Sequence, residues 1–88
     1  MKGNKLEKLR KEIDKIDNGI VKLFAKRFQV VGKIGEFKKE NNMPVVDSDR
    51  FKSLLDKVKR EAINNNISAD FIEDVYNLIH EYSCDLEK

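Results

Sequence analysis

Apolar residues fall at Leu6, Leu9, Ile13, Ile16, Ile20 and Leu23, then resume at Val30, Ile34 and Phe37. The steps are three and four, which predicts one continuous amphipathic helix over about residues 5–40. The beat between Leu23 and Val30 falls on Arg27, a guanidinium where the pattern calls for a hydrophobe. Asn41, Asn42 and Pro44 end the pattern, since proline has no N–H and restrains the residue before it. Asp47 and Ser48 then offer N-caps for a second helix, about 48–64, with Phe51, Leu54, Leu55, Val58 and Ala62 on its apolar side. Asn64, Asn65 and Asn66 stop it. Ser68 caps a third helix, about 68–87, carrying Phe71, Ile72, Val75, Tyr76, Leu78, Ile79, Tyr82 and Leu86. With no strand alternation and no internal repeat, the expected class is all-α: three helices, one long and two shorter, in a single domain over residues 1–88.

The length of the first helix bears on assembly. At about 1.5 Å per residue it would run roughly 50 Å, whereas a compact chain of this size has a radius of gyration of about 12 Å. Two short helices cannot cover so long a stripe. The expected solution is a homodimer in which the long helices of two copies pack along a heptad seam.

Composition narrows the classes. The chain has 88 residues, 40 % of them hydrophobic and 39 % charged, a globular balance rather than a disordered one. No apolar run approaches the roughly 20 residues of a membrane span, and MKGNKLEKLR contains no apolar signal region. The single cysteine, Cys84, excludes an internal disulfide and fits a reducing cytoplasm. A net charge of +2 is too mild to argue for nucleic acid. Any functional positive charge must be local.

Several polar groups stand where packing alone would not place them. Lys38 lies eleven residues after Arg27, close to three turns, and shares its face about 16 Å away. Arg10 flanks the same seam about 25 Å in the other direction, out of reach of Lys38 within one chain. In an antiparallel pair of long helices, Arg10 of one copy approaches Arg27 and Lys38 of the other. Arg50 adds a cation just after the second helix's cap. The third helix carries Ile72, Tyr76, Ile79, Ser83 and Glu87 in one stripe, polar at its last two members. Cations converging in an apolar helical interior suit a small, multiply anionic ligand: guanidinium forks bind carboxylates bidentately and lysine acts as a point charge. No metal-ligand spacing, phosphate loop or nucleophile–base pair accompanies them, so chemistry would act through positioning and electrostatics.

These residues carry a resemblance. LRKEIDKIDNGIVKLFAKR, GKIGEFKKENNMPVVDSDR and IHEYSCDLE together resemble the all-helical chorismate mutase family over nearly the whole chain, from about Leu6 to Glu87. The paired arginines, the lysine and the P-V-x-D-x-x-R segment make the likeness specific. It implies three helices per chain in an intertwined dimer with two sites. It implies the cofactor-free Claisen rearrangement of chorismate to prephenate, an isomerase step of the shikimate pathway toward phenylalanine and tyrosine. Carried over, Arg10 of the partner chain and Arg27 would bind the substrate carboxylates, and Lys38 would hydrogen-bond the breaking ether oxygen and a carboxylate. Arg50 and the backbone at Asp47 would orient the ring end, and Ser83 would help hold a carboxylate. Lys38, Glu87 and Arg27 would be the catalytic groups. Chorismate and a second copy are then the expected partners, with no metal, nucleic acid or membrane.

Two positions depart from the family pattern. Phe51 stands where the family has a glutamate that contacts the ring hydroxyl of the substrate. Phe51 could join the apolar set of the second helix, or it could mark a weaker grip on that hydroxyl or a different ring substituent. Glu87 stands where many members have glutamine. A glutamine donates to the ether oxygen at any pH, a glutamate only when protonated, so activity is expected to fall as Glu87 ionises.

Plainer readings compete. Arg27 could specify helix register, as buried polar groups in seams do. Lys38 could be a solvated neighbour of Lys39, and Ser83 a small packing residue. His80 reads as an exposed helix residue, and Cys84 as a thiol with no base evident nearby. Gly32-Lys33-Ile34-Gly35 matches the GxxG loop of KH RNA-binding domains, but the helical rhythm runs straight through it. The mid-helix glycines Gly19, Gly32 and Gly35 serve either close helix approach or nothing. Among functions, the alternatives are a mutase for 4-amino-4-deoxychorismate, a lyase for isochorismate, and a weakly active helical dimer serving as an interaction module.

Overall fold

In the computed structural model, which describes residues 2–88 and the side chains from residue 3 on, the chain forms three α-helices: α1 (Lys2–Glu40), α2 (Ser48–Asn64) and α3 (Ala69–Glu87). Among the described residues there is no strand. The chain divides into two compact units, one up to Val30 and one from Val31 on.

The described part of the first unit, residues 2–30, is helical, the N-terminal portion of α1. Its seam residues are exposed: Leu9 at 47 %, Ile16 at 57 % and Leu23 at 66 %. The rings of Phe24 and Phe28, one turn apart, stack with centroids 5.9 Å apart. Arg10 is exposed and Arg27 half-buried.

The second unit begins with the last turns of α1, where Lys38 and Lys39 place positive charge beside the unsatisfied C-terminal carbonyls. The amide of Asn41 Nδ2 donates to the Phe37 carbonyl at 2.8 Å, and the Met43 N–H donates to the Lys38 carbonyl at 2.8 Å. Asn42 adopts the left-handed conformation (φ 54°) that such a helix end requires, and asparagine tolerates it better than most side chains.

Asp47 then caps α2: its side chain accepts from the Arg50 N–H at 3.0 Å, and Asp49 adds a favourable charge in the first turn. The far end of α2 closes as α1 does. Asn66 is left-handed (φ 60°), and the Ile67 N–H donates back to the Ala62 carbonyl at 2.8 Å. Ser68 accepts from the Phe71 N–H at 3.2 Å and starts α3. The asparagine-rich turn thus reverses the chain within four residues, and α2 packs against α3. Ala62 and Ile79 are buried, and Lys59 reaches Glu73 across the pair at 3.6 Å.

Gly35 is buried in the last part of α1, beside the end of α3. A Cβ built there would lie 2.9 Å from the Cα of Glu87 and 3.3 Å from its carbonyl oxygen. The obstacle is backbone, which cannot swing aside, so only glycine permits this approach. Gly19 and Gly32 have nothing within 4 Å of such a Cβ. Of the three mid-helix glycines, close approach within the chain accounts for Gly35.

Candidate active site

The close approach at Gly35 determines what lies one turn further on. Lys38 Nζ sits 2.7 Å from Glu87 Oε1, with the two side chains only 17 % and 9 % exposed. The same ammonium donates to the Val45 carbonyl at 2.8 Å, tying the end of α1 to the segment that leads into α2. Glu87 Oε1 is buried and makes no well-directed hydrogen bond, although it lies within ion-pair distance of Lys38. The distance and the missing alignment are both informative: the attraction is Coulombic, and the oxygen retains unused acceptor capacity. Taking such a pair out of water costs several kcal/mol per ion before the mutual attraction is counted. A buried pair therefore gives weak grounds for a purely stabilising role.

Ser83 lies one turn before Glu87 on α3, and both are buried at 8 % exposure. Their inward placement gives α3 an apolar start and a polar end on one face, with Ile79 buried between. At the N-terminus of α2, Asp47 and Arg50 are exposed, linked by the cap bond. Phe51 is half-buried. Thus the second unit holds Lys38, Ser83 and Glu87 inside, with Asp47, Arg50 and Phe51 where α2 begins. Arg10 and Arg27 belong to the first unit.

Two expectations about α3 are corrected here. His80 is half-buried rather than exposed, because the Phe51 ring stacks on its imidazole with centroids 3.9 Å apart and planes 16° apart. Cys84 does have a base nearby: its Sγ lies 3.7 Å from His80 Nε2 and 4.0 Å from Nδ1. The signal in the sequence was spacing. His80, Ser83, Cys84 and Glu87 follow the i, i+3, i+4, i+7 rule of a single helix face, so His80 belongs with Ser83 and Glu87. Phe51 packs against this face rather than against α2's aliphatic residues alone.

A pocket elsewhere between α2 and α3, lined by apolar residues such as Val58, Ile67, Ile72 and Tyr76 and by the polar Glu61 and Asn65, contains neither Lys38 nor Glu87. None of its lining residues is a cation, so it offers no charge complementary to a multiply anionic ligand. Among the described residues, no cluster of three or more His, Cys, Asp or Glu is arranged to hold a metal ion. Among the described residues, no helix is long and apolar enough to cross a membrane.

Comparison with known proteins gives a single family, whose relatives include a 4-amino-4-deoxychorismate mutase from Streptomyces venezuelae, 24 % identical over 84 residues and covering 96 % of this chain and 82 % of that one. The family described as chorismate mutase type II matches residues 9–88. A bifunctional chorismate mutase/prephenate dehydratase from Buchnera aphidicola is 40 % identical over 85 residues, covering 97 % of this chain and 22 % of that protein. The T-protein of Haemophilus influenzae is 40 % identical over 70 residues, covering 80 % of this chain and 19 % of that protein. The chain thus spans about a fifth of the length of these two relatives. A chorismate mutase from Methanocaldococcus jannaschii is similar in size: 30 % identity over 84 residues covers 96 % of this chain and 85 % of that one.

Proposed function

The chain belongs to the chorismate mutase type II family, and from that premise we propose that it converts chorismate to prephenate, an isomerisation in aromatic amino acid biosynthesis. The reaction breaks one C–O bond and forms one C–C bond within a single molecule. It needs no nucleophile, and negative charge gathers on the ether oxygen as that bond lengthens. The useful protein group is therefore a fixed cation or donor aimed at that oxygen in a dry site.

Lys38 meets that description. Its ammonium is nearly buried, and its hydrogen bond to the Val45 carbonyl holds it in place before substrate arrives. The observation that carries the proposal is the 2.7 Å contact between Lys38 and Glu87, two charged groups brought together with little exposure to water. Substrate would separate them in part, with the ether oxygen taking a place between ammonium and carboxyl. Glu87, when protonated, donates to the same oxygen. Ser83, one turn away, holds a carboxylate of the substrate. Arg50 and the capped backbone at Asp47 orient the ring end.

Arg27 and Arg10 supply the remaining charge for the two carboxylates, Arg10 coming from a second copy. The support for that copy is the apolar stripe of α1, with Leu6, Leu9, Ile13, Ile16, Ile20, Leu23 and Val30 all between 44 % and 66 % exposed. Water-exposed apolar rows of this extent mark interfaces. Burying about 50 Å² on each of seven such side chains in two copies would supply on the order of 15 kcal/mol before association costs. An intertwined homodimer is the reading these features support.

A second reading has one observation in its favour. Phe51 packs on His80 and offers no carboxylate to a ring hydroxyl, which keeps 4-amino-4-deoxychorismate as an alternative substrate.

The deciding experiment follows loss of chorismate absorbance with the purified protein and identifies the product. Prephenate supports the proposal. Turnover of the amino-substituted compound alone selects the second reading, and no turnover of either leaves a helical interaction module.

A further inference from the structure

Pro44 opens the P-V-x-D-x-x-R segment, yet the reaction as assigned gives a part only to Asp47 and Arg50 at its far end. Burial does not account for the proline, which is exposed, and Val45 after it is only half-buried. What the turn holds accounts for it better. Both residues that flank Pro44 grip Lys38. The Met43 N–H donates to the Lys38 carbonyl at 2.8 Å, and Lys38 Nζ donates to the Val45 carbonyl at 2.8 Å. The lysine is thus held at its backbone by Met43 and at its tip by Val45. The result is a closed loop, running from Lys38 through the left-handed Asn42 to Val45 and back along the lysine's own side chain.

Pro44 sits between the two points of attachment. Its ring fixes φ, so the direction of the Val45 carbonyl relative to Met43 depends on fewer free torsions than another residue would leave. The Lys38 ammonium has three protons. One goes to Val45, and two are left for Glu87, 2.7 Å away, and for a ligand. Lysine is among the side chains that lose most rotamer freedom when ordered. Here that ordering happens on folding, before substrate arrives.

We infer that the Val45 carbonyl is a positioning group for the reaction and that Pro44 keeps it in place, the turn through Met43, Pro44 and Val45 aiming the Lys38 ammonium at the ether oxygen. The inference rests on the mutase reading and deepens it. Charge gathers on that oxygen chiefly in the transition state. A misaligned ammonium therefore loses transition-state stabilisation more than substrate binding, and the loss falls on kcat rather than KM. A turn that served stability alone would lower the melting temperature and leave kcat of the folded protein unchanged.

The test replaces Val46 by its α-hydroxy acid in the synthetic full-length chain. This turns the Val45 carbonyl into an ester carbonyl, a poorer acceptor, and leaves every side chain in place. The same replacement at Val45 is the control, since it alters the Pro44 carbonyl and the Val45 N–H, which are not the groups that hold Lys38 in this loop. The expected result for the first ester is a kcat on chorismate lowered about 10-fold at nearly constant KM, with the control within about twofold of the unmodified protein. Pro44→Gly, which loosens the turn, should lower kcat in the same sense by about threefold. An unchanged kcat in the first ester, a loss confined to KM, or equal losses in both esters overturns the inference while leaving the mutase reading intact. Should the first ester fail to fold, Pro44→Gly carries the test through the same split between kcat and KM. Absence of prephenate from the unmodified protein overturns both.

Discussion

Gly35 and Glu87 approach so closely that a single methyl group on the glycine would lie 2.9 Å from the glutamate's Cα. This contact sets the distance between the ends of α1 and α3, and Lys38 meets Glu87 one turn beyond it. Gly35→Ala should therefore act on the ion pair through the backbone. Alanine gains about 1 kcal/mol in helix propensity, but overpacking typically costs about 1–3 kcal/mol. The expected outcome is a net loss of stability together with a larger loss of kcat. Gly32→Ala is the control: nothing lies within 4 Å of its Cβ, and it falls away from the apolar stripe of α1. Thermal melts and steady-state rates on both variants check the contrast. Equal behaviour would remove the positioning role from Gly35.

Lys38→Met removes the cation and strands a buried carboxylate. Breaking a buried pair from one side costs about 3–5 kcal/mol, and losing a preorganised donor to a developing oxyanion costs about a hundredfold or more in kcat. Pairing it with Glu87→Gln should recover much of the stability and little of the activity. A double-mutant cycle in denaturant, run beside the kinetics, separates the two effects.

On the proposed placement of Glu87 at the ether oxygen, a protonated acid would donate to that oxygen and a carboxylate would repel the charge building there, so kcat is expected to fall as pH rises. Glu87→Gln keeps a donor at every pH and should flatten that fall. Superimposable pH–rate profiles for the two proteins would rule out this role for Glu87.

Arg10 and Arg27 can be tested by complementation. Arg10→Ala and Arg27→Ala should each be nearly inactive and should lose the stabilisation that a dicarboxylate transition-state analogue confers by mass action. Lys11→Ala, next to Arg10 in sequence and likewise exposed, should retain it. If each site takes Arg10 from the other copy, a mixed dimer regains one intact site. Equal mixing and exchange then restores about a quarter of the unmodified rate, since half the dimers are mixed and each has one site of two. No recovery after demonstrated subunit exchange would place Arg10 in its own chain's site.

Much of the local structure was legible because it depends on neighbours in sequence. The three-four rhythm marks the helices, Asp47 and Ser68 accept from the N–H three residues on, and the asparagines mark where α1 and α2 stop. Hydrogen bonds three or four residues apart are short-range facts, and a sequence states them directly. The same periodicity put Lys38 in phase with Arg27 and Ser83 in phase with Glu87 before any tertiary contact was known.

What the sequence could not determine was contact between distant residues. His80 read as a surface histidine because its own helix does not reveal that Phe51 arrives on its face. The nearness of Cys84 to His80, four residues apart, is by contrast a same-face spacing that the sequence does carry. The three mid-helix glycines were indistinguishable as letters. Gly35 differs from Gly19 and Gly32 only in that the end of α3 comes against it. Sequence periodicity determines which residues share a face, a property of one helix. Which face is covered, and by what, depends on packing between helices, and that was decided only by the tertiary structure.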